Sequence, residues 1–171
     1  MNRWFDRKFT LDLALSAYPN VLERLREVPG RLEELLLHLP ATVLTHKSEE
    51  QWSIQEHAGH LLDLEPLGMG RMDDYESGLP ALRGADLQNR KTFEANHNST
   101  PVRTLLSEFR RERFAFADRL QNYGEEFIQR SAIHPRLNLP MRVIDLAFFV
   151  AEHDDHHLAT ISRMIGKLNK G

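Results

Sequence analysis

The 171-residue chain contains no cysteine. Disulfides, thiolate metal sites and a cysteine nucleophile are therefore excluded, and without disulfides the simplest expectation is a cytoplasmic protein. Long apolar runs are also missing. The longest, Leu146 to Ala151, is far short of the ~20 residues a membrane-spanning helix needs, so no membrane association is expected. The first residues, Met1 to Leu13, show no apolar stretch followed by a small-residue cleavage pattern, so no signal peptide is expected. A basic excess is absent too: Lys+Arg number 22 against 25 Asp+Glu, a net charge of −3, which argues against a dedicated nucleic-acid binder. The chain has no Gly-rich phosphate loop, no G-x-S-x-G and no H-E-x-x-H. Strand-like alternation and internal repeats are not evident either.

What remains is helical periodicity. The length fits one domain spanning 1–171, and 41% hydrophobic residues suffice for one core. Val21, Leu22, Leu25, Val28, Leu32, Leu35, Leu36 and Leu39 recur at three- and four-residue steps. They predict one amphipathic helix, or two short ones broken near Pro29-Gly30, closed by Pro40. After a polar connector from Ala41 to Gln51, Ser53 and Glu56 form a capping box that opens a second helix, with Trp52 at the staple position facing His57. This helix runs to about Glu76, with a kink expected at Pro66. Leu79 to Ser99 reads as a long connection holding a short helical piece. A third helix starts at Thr100-Pro101 and carries Val102, Leu105, Leu106, Phe109, Phe114, Phe116 and Leu120 before Gly124. Ser131 to Pro140 reads as irregular, and a fourth helix runs from near Pro140 to about Ile165, stopped by Gly166. The fold class predicted is all-α: an antiparallel four-helix bundle with long connections, not necessarily of simple up-down-up-down order.

Nine histidines stand out, three of them in the segment Ala151-Glu152-His153-Asp154-Asp155-His156-His157-Leu158. His153 and His157, four apart, share one helix face and can converge on one cation, with zinc–nitrogen bonds of ~2.0–2.1 Å. That face also carries Leu146, Val150, Thr160, Ile161 and Met164, so the pair belongs to the core-facing stripe, where an unsatisfied imidazole costs about 1–3 kcal/mol. His60 is the best candidate for a third ligand, and His57 is its rival, although packing beneath Trp52 suits His57 better. Three ligands and one open position form the catalytic arrangement of a zinc site. His156 points elsewhere and is expected to be exposed; Asp154 and Asp155 are expected to be solvated, the alternative being hydrogen bonding to a ligand imidazole.

Other signals are weaker. Arg110, Arg111, Arg113 and Arg119 among Phe109, Phe114 and Phe116 are read as the basic outer face of an amphipathic helix. Glu94 and His97 make a single Glu-x-x-His step, where a di-iron bundle needs two. His134-Pro135-Arg136 either places a cation near a pocket mouth or is a loop satisfying its own backbone.

The stretches Trp52-Ser53-Ile54-Gln55-Glu56-His57-Ala58-Gly59-His60-Leu61 and Ala151-Glu152-His153-Asp154-Asp155-His156-His157-Leu158-Ala159 resemble the DinB/YfiT-like metal-binding bundles. In that family a W-S-x-x-E-x-x-x-H stretch supplies one ligand and an H-x-x-x-H on the last helix supplies two. The resemblance covers most of the chain and selects His60, His153 and His157 over His57 and His156. It implies a four-helix bundle, usually dimeric, holding nickel or zinc. It also implies, for some relatives, transfer or isomerisation with a low-molecular-weight thiol such as mycothiol or bacillithiol. Where the family often has Gln shortly after the last ligand, this chain has Leu158-Ala159-Thr160-Ile161.

Three functional readings follow. The first is a metal-dependent transferase or hydrolase, in which a thiol or water activated by the ion attacks an electrophilic small molecule. Glu56 is then a tempting general base, although capping is its better employment. The second is a non-catalytic metal-binding or stress-response bundle, and the third is an interaction scaffold whose histidines are core polar groups.

Overall fold

The computed structural model describes residues 4–47 and 51–168; the end of the polar connector, 48–50, and the first residues of the chain, 1–3, lie outside them. Four long helices carry the structure: α1 (Tyr18–Leu36), α2 (Ile54–Glu76), α3 (Val102–Gln121) and α4 (Val143–Leu168). One-turn helices lie between them at Ala41–Leu44, Arg90–Glu94 and Glu125–Ile128. In the bundle α1 packs against α3 and α4, and α2 against the same two, so α1 and α2 sit on one diagonal.

Side-chain pairs give the directions. Tyr18 donates to the Leu120 carbonyl (2.9 Å) while Arg110 pairs with Glu33 (2.6 Å), so α1 and α3 are antiparallel. His57 meets His157 at the other end of α2 from Tyr75, which donates to the Met141 carbonyl just before α4, so α2 and α4 are antiparallel too. By contrast Glu65 meets Arg113 and Asp73 meets Arg119, so α2 and α3 run the same way. Arg24 and Arg31 reach Asp155 from a helix running along α4, the second parallel pair. The predicted four-helix bundle is therefore built from two antiparallel pairs, in the order up-down-down-up. Parallel neighbours α2 and α3 cannot be joined by a tight turn, which is why residues 77–101 return along the length of α2.

The core is in two apolar layers. One joins Leu25 of α1, Met72 of α2, Phe116 of α3 and Leu146 of α4; the other joins Leu32, Leu61, Phe109 and Leu158 of the same helices. Between them lies a polar waist. Arg113, 1% exposed, donates to Glu65 of α2 (2.6 Å) and to Asp154 of α4. Its position corrects the basic-outer-face reading, which holds only for Arg110, Arg111 and Arg119; Asp154, also buried, is not solvated. Burial is the largest influence on both carboxyls and raises them from the usual carboxylate range, opposed by the guanidinium.

Of the two readings of the opening segment, the single helix holds: α1 passes unbroken through Pro29, because Leu25 and Val28 before it and Leu32 and Leu36 after it are all buried and anchor both halves. As expected, α2 runs to Glu76 with Pro66 inside it. Two local outcomes differ from expectation. First, α4 starts at Val143 and continues through Gly166 to Leu168. Second, the stretch read as irregular is a hairpin, β1 (Ser131–His134) with β2 (Leu139–Arg142), paired Ala132 to Met141 and His134 to Leu139, with Asn138 at φ 53° in its turn. Strands of four residues with one buried face are too short to register as an alternation. Ala81 extends the hairpin by a single bridge to Ile133.

Replacing Arg113 with Met leaves two buried carboxyls without their cation. Urea unfolding at pH 7 is expected to show a loss of about 3–5 kcal/mol; a loss under about 1 kcal/mol would mean that the triad does not hold the waist together.

Candidate metal centre

The site is built from the start of α2. Ser53 Oγ accepts from the Glu56 backbone N–H (3.1 Å), and Glu56 Oε2 accepts from the Ser53 N–H (2.8 Å), completing the capping box. Lys47 takes the other oxygen of Glu56 (2.9 Å), so this carboxylate is committed to the helix end. Trp52, just before the cap, lies with its ring centre 4.7 Å from that of His60 and 5.5 Å from that of His57. Nearly two turns into α2, His60 points between α2 and α4, where His153 and His157 stand one turn apart.

The three expected ligands meet. One nitrogen from each of His60, His153 and His157 lies within 4.8 Å of the others. His153 Nε2 and His157 Nε2 are 3.2 Å apart. Two nitrogens held tetrahedrally at ~2.0–2.1 Å from one zinc ion would be separated by roughly 3.3 Å, so the spacing fits a cation. Burial is the largest influence on all three rings: it lowers His60 to about 4 and holds His153 and His157 well below the ordinary value, with neighbouring imidazoles adding to it. Neutral rings are the form that ligates metal.

Hydrogen bonds orient these rings. Thr92 donates to Asp63 Oδ2 (2.9 Å), a carboxylate that only accepts, so its hydroxyl oxygen is left to accept from His60 Nδ1 (3.0 Å). The proton of His60 is thereby placed on Nδ1, and the Nε2 lone pair faces the cluster. Asp63 is held in place by His97 Nε2 (2.8 Å) and Lys91 Nζ (3.6 Å). His97 in turn lies so close to α2 that a Cβ on Gly59 would come within 2.3 Å of its ring. His57, the rival ligand, is 2.9 Å from His157 Nδ1 and so contacts the far side of that ring, outside the cluster. His156 is not exposed: it is half-buried, beside Trp4 (ring centres 5.8 Å apart). Asp155 is also drawn in, bridging Arg24 (2.6 Å) and Arg31 (2.8 Å).

A cavity of about 700 Å³ opens over the cluster, walled by apolar residues including Leu64, Phe116, Leu146, Phe149 and Trp4. His153 and His157 line it together with His134 and Arg136 of the hairpin. No local pattern in the sequence points to Thr92, or to Arg71, which also reaches this space. Asp63 had one: it lies three residues after His60, on the same helix face.

Residues 24–161 match the DinB superfamily. The chain belongs to it. No curated protein matches this DinB sequence. Among solved structures it is similar to YfiT from Bacillus subtilis, described as a probable metal-dependent hydrolase with an unusual four-helix bundle topology. That similarity has a TM-score of 0.84 at 15% identity and covers 95% of this chain and 94% of the other. A mycothiol-dependent maleylpyruvate isomerase matches with a TM-score of 0.65 at 11% identity, over 93% of this chain and 62% of that one. A protein from Streptococcus pneumoniae also has a TM-score of 0.65 at 11% identity, over 96% of this chain and 93% of the other. At such identities these likenesses describe the DinB fold. Among the described residues no helix is long and apolar enough to cross a membrane.

The buried imidazoles make metal-free stability depend on pH. His57, His60 and His134 are each lowered to about 4, chiefly by burial. The unfolded chain binds their protons near pH 6.5 and the folded chain does not, so stability is complete above pH 6.5 and is lost as pH falls toward 4. At pH 5 each such ring costs about 2 kcal/mol. The melting temperature of metal-free protein is expected to fall by roughly 5 °C or more between pH 7 and pH 5; an unchanged value would show these rings to be hydrated.

Proposed function

We propose that this chain is a metal-dependent enzyme acting on a small electrophilic molecule, with His60, His153 and His157 holding one divalent ion. The observation that carries this reading is the convergence of three neutral imidazoles from two helices beneath a cavity of about 700 Å³. Structural zinc sites are normally closed by four protein ligands, whereas three leave a position for water or substrate. Imidazole donors suit zinc and nickel alike, and either is the proposed ion. When bound, such an ion acts as a Lewis acid that makes a coordinated water or thiol nucleophilic at neutral pH. The thiol-dependent isomerase among the structural neighbours supports a low-molecular-weight thiol as cosubstrate, giving a transferase; YfiT's description supports water, giving a hydrolase. A thiol has to come from outside, because the chain has none of its own.

The protein's own residues have distinct tasks. Thr92 and Asp63 fix the tautomer of His60, and His57 buttresses His157. Leu64, Phe116 and Phe149 exclude water from around the substrate. Glu56 stays with its cap and takes no part in proton transfer. The reading includes a homodimer, on the strength of the family resemblance, and cytoplasmic residence.

Protein purified without a histidine tag is expected to take up one equivalent of Zn²⁺ or Ni²⁺ in a calorimetric titration, and His153→Ala to abolish it. Absence of any stoichiometric uptake would reject the site. Thr92→Val, which removes the acceptor for His60 Nδ1–H, is expected to weaken the metal by about 10–100-fold with the helical circular dichroism unchanged. With a panel of thiols and a chromogenic electrophile, turnover is expected that disappears in His153→Ala. Stoichiometric metal without turnover on water or any thiol would favour the non-catalytic bundle. Light scattering at micromolar concentration is expected to give twice the chain mass, and a monomer would remove the dimer from the proposal.

A further inference from the structure

Away from the imidazoles, the same cavity holds a group of donors that no carboxylate among the described residues meets. His134 Nδ1 accepts from the Leu137 backbone N–H (3.3 Å), which places the ring proton on Nε2, and that buried Nε2–H has no partner among the described residues. Arg136 Nη2 is likewise buried without a partner among the described residues, its guanidinium lying over the rings of Phe5 (5.2 Å) and Phe149 (5.6 Å). Arg71, 5% exposed, spends only Nε on a protein group, the Arg83 carbonyl (3.3 Å).

Among the described residues neither Arg71 nor Arg136 has a carboxylate within 4 Å. The nearby carboxylates are engaged elsewhere: Asp74 with Arg83 (2.7 Å), Glu65 and Asp154 with Arg113, and Asp86, which also lines the cavity, with Arg90 (3.5 Å). The contrast with Arg113 is instructive. Its two carboxylates outweigh burial and raise it, whereas burial prevails at Arg71, lowering it to about 10, and at Arg136, also lowered. A fold that sets a buried arginine, a half-buried one and a third donor around one space, with the carboxylates lining it paired elsewhere, has left that space for something negative.

We propose that Arg71, Arg136 and His134 form a carboxylate-binding subsite, so that the substrate is a small carboxylic acid with an apolar body. An ionised carboxylate accepts about four hydrogen bonds. The two Nη groups of Arg71, Arg136 Nη2 and His134 Nε2–H can supply them, with the fork of Arg71 matched to the two oxygens. The His134 ring is 5.2 Å from Phe149, which precedes His153 by one turn of α4. The acid head would therefore lie on the order of 10 Å from the imidazole cluster, one helical pitch plus one ring contact. The reacting carbon would stand several bonds from the carboxylate, with the apolar walls between.

This subsite rests on the reading of the cavity as the substrate chamber, but its test needs no metal and no turnover. Metal-stripped protein, freed of chelator, is titrated with 3-phenylpropionate and with the uncharged 3-phenylpropionamide by calorimetry. The acid is expected to bind about tenfold or more tightly than the amide. Arg136→Gln, at a half-buried position, and Arg71→Met are each expected to erase that preference while Zn²⁺ uptake stays at one equivalent. Should Arg71→Met fail to fold, Arg136→Gln and His134→Phe carry the comparison. Equal binding of acid and amide to the unmodified protein, or a preference surviving in Arg136→Gln, would overturn the assignment. Failure of zinc uptake would sink the metal centre instead and leave the acid–amide comparison standing.

Discussion

A guanidinium buried at the middle of the bundle sets the axial register of three helices. Arg113 of α3 is gripped by Glu65 of α2 and Asp154 of α4, all three buried. Apolar layers above and below tolerate sliding far better than this layer does, because a slip of one turn, about 5.4 Å, would leave charges buried without partners. Asp154 is the immediate neighbour of His153, and Glu65 lies little more than a turn beyond His60 on α2. Holding the triad in place thus holds two antiparallel helices at the height where their imidazoles face one another. The same turn of slip would part rings whose nitrogens now lie within 4.8 Å.

The parallel pairing of α2 and α3 has a second effect. A chain leaving the bottom of α2 must climb back before α3 can begin, and on the way it lays Thr92 and His97 along the first turns of α2. The groups that orient His60 therefore come from a connection, and the connection is there because of the helix order. Gly59 makes this possible locally, since any larger residue would push the His97 ring outward.

The parts of this arrangement legible in the sequence are those written as periodicity or as a local rule. Helix count and faces followed from Val21 through Leu39 and the equivalent stripes, the start of α2 from Ser53 and Glu56, and the meeting of His153 with His157 from their spacing of four. The third imidazole was favoured over its rival because Trp52 is placed to cover His57, and the family resemblance made the same choice; His57 and His60 both lie early on α2, so only tertiary packing tells the inward ring from the buttressing one. Arg113 was misread because an arginine among phenylalanines has the same pattern whether it faces solvent or two buried carboxylates. Its partners are 48 and 41 positions away, and nothing local announces them. Thr92 was invisible for the same reason: its role depends on a return path that periodicity does not encode. The hairpin escaped notice because four residues per strand carry too little pattern.

The cavity draws its walls from unlike sources. Its floor belongs to α2 and α4, locked by the waist, whereas Trp4, Phe5, Leu87 and the hairpin residues His134 and Arg136 enclose it from the periphery. Those peripheral segments take no part in the Arg113 triad, so they can be exchanged residue by residue without disturbing the register beneath them. A scaffold divided in this way can keep one reactive centre while acquiring new tastes in what it admits.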